Sequence, residues 1–428
     1  MRCLDLSLER LDPALFEDVR LVAIYVGMHT ATRIAIEALP RIRQIAPKAH
    51  VCMYGLYAPM NETLLRGLGA GSVLGGEPEP ALVSLCRRLR GDHDDASTVT
   101  PAVKIRFAVP DRSVLPALSR YAHLVLPDGT TRVVGFAEGS RGCKHLCKHC
   151  PVVPVYQGRF RAVPVHVVLA DIEQQVREGA RHISFGDPDF LNGPTHGLRL
   201  ARTLHAAFPE VTFDATIKIQ HLIDQAALLP ALRANGCLFV TSAVESVDDE
   251  ILRLLDKNHT SADFDRAVAL TRAAGIALAP TFVAFTPWTT LEGTLALLER
   301  LLALRLVESV PPIQLTIRLL VPEGSWLLKL PGFRETLMPF DSALLGYPWR
   351  HADPRVDRLQ QDLQDLVARS EARNVSRREI FAAVWRMAHE AAGRHAPQLP
   401  EELGAPIPRL SEPWYCCAEP TAQQLQSF

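Results

Sequence analysis

The stretch Glu138-Gly-Ser-Arg-Gly-Cys143-Lys-His-Leu-Cys147-Lys-His-Cys150-Pro151 sets three thiols within eight residues, directly after the apolar run Val133-Val-Gly-Phe-Ala137. The run reads as a short buried strand, and the Gly- and Lys-rich stretch after it reads as a loop. Of the nine cysteines, Cys3, Cys52, Cys86 and Cys237 are scattered and read as structural. The first residues, Met1-Arg-Cys-Leu-Asp, mix charge through what would have to be the apolar part of a secretion signal, so the thiols are expected to be reduced or metal-bound.

Outward from this loop, strand candidates recur at 133–137 (VVGFA), 182–187 (HISFGD), 211–217 (VTFDATI), 237–244 (CLFVTSAV), 277–285 (ALAPTFVAF) and 313–320 (IQLTIRLL), separated by helix-length segments. Six strand–helix units predict an α/β core at 132–330, a partial parallel (β/α)6 barrel whose ligand groups sit at the C-terminal strand ends. Residues 1–92 alternate in the same way and predict a small doubly wound α/β domain, with 93–131 as a connecting segment. After Pro322 the period changes. Val356, Leu359, Leu363, Leu366 and Val367 recur at helical spacing, and Ser376 with Glu379 forms a capping box ahead of Ile380, Val384, Met387 and Ala391. Residues 331–428 are thus expected to be a helical C-terminal region that ends in a Pro-rich, thiol-bearing tail.

With 48% hydrophobic and 22% charged residues the composition is that of an ordinary globular chain, and 46 basic against 47 acidic side chains leave a net charge of −1. That balance removes the bulk attraction to nucleic acid or to anionic membranes. No apolar run approaches the ~18 residues of a membrane span. A soluble, cytoplasmic protein is expected.

Three thiolates can bind three irons of a 4Fe-4S cluster and leave the fourth iron open to a substrate. A zinc site completed by His145 or His149 uses the same residue types, but a loop placed after the first strand of a six-strand unit favours the cluster. Arg141, Lys144 and Lys148 are expected to lower the thiol pKa values. The spacing Cys143-x3-Cys147-x2-Cys150 resembles the signature of the radical S-adenosylmethionine (SAM) superfamily. The resemblance implies a 4Fe-4S cluster on Cys143, Cys147 and Cys150, SAM on the open iron, reductive cleavage of a carbon–sulfur bond, and a reductant such as flavodoxin or ferredoxin. One departure is His149, where the family usually carries an aromatic residue.

Other motifs fit the same frame. Asp187 and Asp189, in Phe185-Gly-Asp-Pro-Asp-Phe190, resemble the family element that holds the methionyl amine of SAM, although Asp and Gly also make turns. Glu245 and Ser246 end the fourth strand candidate and, with Lys257, resemble a Glu-Ser…Lys pattern; Glu245 is the expected ribose ligand, and Ser246 or Asp248 alternatively caps the next helix. Arg318 suits a carboxylate, or else a salt bridge, and Trp288 suits adenine, or else the core. The N-terminal domain resembles the cobalamin-binding fold that precedes many such cores, yet the usual Asp-x-His-x-x-Gly motif is missing. Cobalamin is therefore a candidate cofactor that its usual motif does not support.

The tail reads Trp414-Tyr-Cys416-Cys417-Ala-Glu-Pro420. Adjacent cysteines rarely close a strain-free disulfide with each other, so joint use on one soft atom is attractive. The motif resembles a radical SAM group named for a Cys-Cys-Ala-Glu-Pro tail and associated with organoarsenical (arsinothricin) biosynthesis. That resemblance implies transfer of a 3-amino-3-carboxypropyl group to trivalent arsenic, with arsenite as substrate and Cys416 and Cys417 as catalytic thiols. The competing readings are a cobalamin-dependent radical SAM methyltransferase and a non-enzymatic zinc- or metalloid-binding regulator.

Overall fold

The computed structural model describes residues 1–92 and 105–412. In the N-terminal part, β1 (Leu21–Tyr25), β2 (His50–Tyr54) and β3 (Ser72–Leu74) form a parallel sheet in the order β1-β2-β3. Each strand is followed by helix: His29–Ile45 after β1, Glu62–Gly67 after β2 and Glu79–Arg90 after β3. Ala35 and Leu39 of the first helix pack on Val51 and Met53 of β2, a core of its own.

The central sheet has seven strands. The next elements in the chain are β4 (His123–Val125), β5 (Thr131–Ala137), a small hairpin of β6 (Ser140–Gly142) and β7 (Phe160–Ala162), β8 (His182–Phe185), β9 (Thr212–Thr216), β10 (Cys237–Glu245), β11 (Ala277–Phe282) and β12 (Arg409–Leu410). The order is β11-β10-β9-β8-β5-β4-β12, with β5 and β8 to β11 parallel and β4 antiparallel to both β5 and β12. These five parallel strands, with helices between them, curl into a half-barrel.

Period-two patterning explains the two faces. Ile183, Phe185, Phe213, Ala215 and Val240 point outward into the core beneath the helices. Phe136, Ser184, Asp214, Thr216, Thr241 and Thr281 line a cavity of ≈ 1120 Å³. The inner face, where Val134, Phe239 and Pro280 stand beside these polar groups, is thus a mainly apolar binding space with a few polar groups rather than a packed centre.

The sixth strand candidate does not form a strand. Pro311 and Pro312 bracket its start, residues Pro312–Leu315 turn as a 3-10 helix, and only the single parallel bridge Phe285–Arg318 continues the sheet. The two prolines, with φ fixed near that of a helix, start the 3-10 turn, which takes the first half of the segment out of extended conformation.

The C-terminal helices Pro354–Glu371 and Arg377–Ala391 close one side of the same core through Val356, Leu359, Leu363, Ile380 and Val384. Ser376 and Glu379 form the expected capping box. Among the described residues, no helix is long and apolar enough to cross a membrane.

Candidate active site

Every group of interest sits just past the C-terminal end of a parallel strand. The cysteine loop follows β5 and the β6 turn, and Gly142, immediately before Cys143, has φ +76°. A Cβ there would lie 2.4 Å from the Arg159 carbonyl, so only glycine lets the two backbones approach. The loop is anchored at its centre, where the Lys148 amide donates to the Leu255 carbonyl and the Leu327 amide donates to the Lys148 carbonyl. Cys143 and Cys147 are buried, Cys150 is partly exposed, and none of the three is in a disulfide.

The cations around these thiols are not the ones their sequence neighbours suggest. Arg141 is held by Glu77, Glu79 and Glu138, and Lys144 lies over the Phe160 ring. Lys218, just after β9, brings its Nζ to 3.5 Å from Cys147 Sγ instead. Lys257 is buried and feels the Cys147 and Cys150 thiols. Burial pushes the Cys143 thiol up, with Asn192 Oδ1 3.7 Å from its sulfur. The thiols thus sit in a dry setting with two lysines at hand, which suits an anionic thiolate-bound group.

His149 is the departure from the family pattern, and the structure gives it a partner. Its Nε2 meets Glu245 Oε1 at 2.9 Å, and Lys257 Nζ donates to the same oxygen at 3.3 Å. Glu245 closes β10 with φ +70°, a left-handed conformation that a non-glycine residue holds at a cost of about 1–3 kcal/mol. Burial works against its ionisation, but Lys257 and His149 outweigh it and hold the carboxyl at about 2. In cluster-free protein, Glu245→Gln leaves Lys257 buried without that counter-charge. Chemical denaturation is expected to show a loss of about 3–5 kcal/mol, and an unchanged unfolding curve would contradict the pairing.

The two aspartates part company. Asp187 Oδ1 and Oδ2 accept from Ser140 Oγ at 2.5 Å and from the Gly139 amide at 2.8 Å, so it fastens the start of the cysteine loop to β8. Burial outweighs those donors and lifts its carboxyl to about 7. The folded state then keeps a proton that the unfolded chain releases near pH ~4, and this term of stability falls as pH rises from about 4 to about 7. Asp187→Asn is expected to remove that slope, read as the difference between the two denaturation-midpoint profiles. Parallel profiles would mean that Asp187 is ionised throughout. Asp189 is fully buried and faces His221 and His145.

Arg318 was expected to meet a carboxylate and does, but that of Asp357, at 2.7 Å. Its second nitrogen donates to the Trp349 carbonyl and its guanidinium lies over the Trp349 ring. It therefore pins the Pro354–Glu371 helix instead of joining the groups around the thiols. Ser246 Oγ accepts from the Asp248 amide, and Asp248 caps the following helix, so Ser246 serves a local turn. Trp288 packs against Phe333 at 5.4 Å, as core.

Cys143, Cys147, Cys150, Asp187, Asp189 and Glu245 thus share one end of the half-barrel. Lys218, Asn192 and His221 were missed by sequence reading. Lys218 carried a signal in its place two residues beyond β9, while Asn192 and His221 become legible only through contact. Of the two histidines of the zinc alternative, His149 turns its Nε2 to Glu245, and His145 turns its Nε2 to His221 and Asp189. Three thiols on one loop with lysines beside them fit a 4Fe-4S cluster with one open iron. Cys416 and Cys417 lie outside the described residues.

Comparisons with known proteins agree with this geometry. The sequence profile of the Radical SAM superfamily matches residues 138–290. A tRNA-2-methylthio-N(6)-dimethylallyladenosine synthase of Chlorobium luteolum is 28% identical over 164 residues, 36% of each chain. The corresponding protein of Pseudomonas syringae pv. syringae is 26% identical over 227 residues, 48% of each. The chain thus spans between a third and a half of the length of these curated relatives. Among solved structures, the cobalamin-dependent SAM radical enzyme OxsB with aqua-cobalamin bound is similar at a TM-score of 0.67 and 15% identity, over 83% of this chain and 60% of that one. The radical SAM methyltransferase TsrM from Kitasatospora setae gives 0.55 and 20%, over 68% and 62%. Profile, half-barrel and three-thiol loop coincide, and residues 138–290 are a radical SAM domain, the part of an enzyme that joins a 4Fe-4S cluster to S-adenosylmethionine.

Proposed function

We propose that the protein cleaves SAM reductively, releasing 5′-methylthioadenosine, and transfers its 3-amino-3-carboxypropyl group to trivalent arsenic held by Cys416 and Cys417, where the new carbon–arsenic bond displaces hydroxide and an external reductant supplies two electrons in all. The observation that carries this reading is the direction of the last described strand. Arg409 pairs with Val125, which pairs with Thr131, and Leu410 follows through Leu124 to Arg132, so β12 runs parallel to β5. Like β5, β12 thus points from its N- to its C-terminal end toward the side of the sheet that carries the cysteine loop. Three residues separate Glu412 from Cys416, so at most about 14 Å of chain joins them. Two adjacent soft thiolates, Cys416 and Cys417, suit a thiophilic centre such as arsenite.

Cys143, Cys147 and Cys150 would hold the cluster, and when bound it would supply the electron that opens a carbon–sulfur bond of SAM. Lys218 and Lys257 offset charge at the thiols. In this reading Glu245, at the end of β10, would accept from the ribose hydroxyls. The test is anaerobic incubation with arsenite, SAM and a reductant, followed by arsenic-specific mass analysis. The reading expects a product that contains both arsenic and the aminocarboxypropyl carbons, and inorganic arsenic alone would refute the substrate.

A second reading, cobalamin-dependent methyl transfer, is favoured by one contact. Arg141 of the cysteine loop bridges to Glu77, just after β3, so the C-terminal ends of the two parallel sheets meet. A crevice at such ends is a usual ligand position. Titration with aqua-cobalamin separates the readings: a one-to-one complex with methylated product supports the second.

A further inference from the structure

His145, Asp189 and His221 come from three elements that the fold brings to one point: the cysteine loop, the turn that closes β8, and the helix Ile219–Asp224 after β9. His221 Nδ1 lies 2.7 Å from Asp189 Oδ2, and His145 Nε2 lies 3.7 Å from the same oxygen. The Nε2 atoms of the two histidines are 3.3 Å apart, with ring centroids at 4.8 Å. One ligand atom from each residue falls within 4.8 Å of the others, and no cysteine belongs to the group.

Two features go beyond proximity. Asp189 is fully buried, and its Oδ2 and the His221 Nδ1 make no hydrogen bond of good geometry with any protein group. Leaving a buried acceptor unsatisfied costs about 1–3 kcal/mol, more for a charged one. With Nε2 as the ligand atom of both rings, which leaves His221 Nδ1 facing Asp189, their 3.3 Å separation also matches the edge of a tetrahedron built on metal–nitrogen bonds of about 2.0–2.1 Å. The nearest like charge, Lys218, is directed at the Cys147 sulfur, which leaves Asp189 to offset a cation.

We propose that His145, Asp189 and His221 bind one divalent transition ion of the zinc class, separate from the cysteine-held group, with an open fourth position. The ion would tie the cysteine loop to the ends of β8 and β9. The inference does not depend on the arsenic reading, because the ligands exclude the tail thiols.

The test uses the full chain with its cluster reconstituted, then stripped with a mild chelator and titrated anaerobically with Co(II). A second arm carries Cys416→Ser and Cys417→Ser. The expected result in both arms is one equivalent of bound cobalt, showing d–d bands without thiolate charge transfer. His221→Gln and Asp189→Asn should each weaken binding at least tenfold with the cluster absorbance retained. If Asp189→Asn does not fold, His221→Gln and His145→Gln carry the test, since both histidine side chains are partly exposed, 16% and 18%. Absence of d–d bands would mean that the three residues form only a hydrogen-bonded network. Unchanged affinity in the variants, or loss of binding with the tail thiols, would place the cobalt elsewhere and overturn the proposal.

Discussion

Alanine at Cys143, Cys147 and Cys150 together is expected to abolish the iron–sulfur absorbance and reduce SAM cleavage to background, with the fold retained. The loss should be complete because the three thiols are the only protein donors the cluster has in this reading, and SAM cleavage draws its electron from it. The fold should survive because the loop is fastened by groups other than sulfur. Asp187 holds Gly139 and Ser140, and Lys148 is bonded to Leu255 and Leu327 through its backbone. Iron and acid-labile sulfide analysis after anaerobic reconstitution reads the result. Stoichiometric zinc with no iron in the unaltered protein would sink the assignment of the thiols.

Serine at Cys416 and Cys417 should suppress arsenic-containing product far more than it suppresses SAM cleavage. Holding the acceptor beside the radical turns a bimolecular capture into a positioned one, an advantage worth many orders of magnitude in favourable cases. A hydroxyl of the same size keeps the tail's length and polarity but not its affinity for a soft centre. Parallel assays of both products at saturating SAM separate capture from cleavage. Wild-type arsenical yield from the double variant would leave the radical SAM reading standing and remove the substrate assignment.

Much of the architecture could be read from residue periodicity. The runs at 133–137, 182–187, 211–217, 237–244 and 277–285 became β5 and β8 to β11, since each pairs short apolar length with flanking turn residues. The Ser376–Glu379 box was readable because capping is local. The run at 313–320 has the same apolar look and failed as a strand, because Pro311 and Pro312 start a 3-10 turn that runs through Leu315. Side-chain partners were less legible. Arg318 carried the right chemistry for a carboxylate, but its partner Asp357 lies on a helix 39 residues away, and sequence spacing says nothing about which carboxylate arrives. His149 looked like a lost aromatic contact until Glu245, 96 residues on, was seen to meet it. The Asp189–His221 pair likewise exists only because β8 and β9 are neighbours in a parallel sheet.

The central claim is that SAM is opened on its aminocarboxypropyl side. It is tested most directly by identifying the nucleoside left after anaerobic turnover with a reductant, with and without arsenite. The account predicts 5′-methylthioadenosine, formed in step with an arsenic-bound aminocarboxypropyl product when arsenite is present. Intact SAM, 5′-deoxyadenosine as the sole fragment, or S-adenosylhomocysteine from methyl transfer would contradict it.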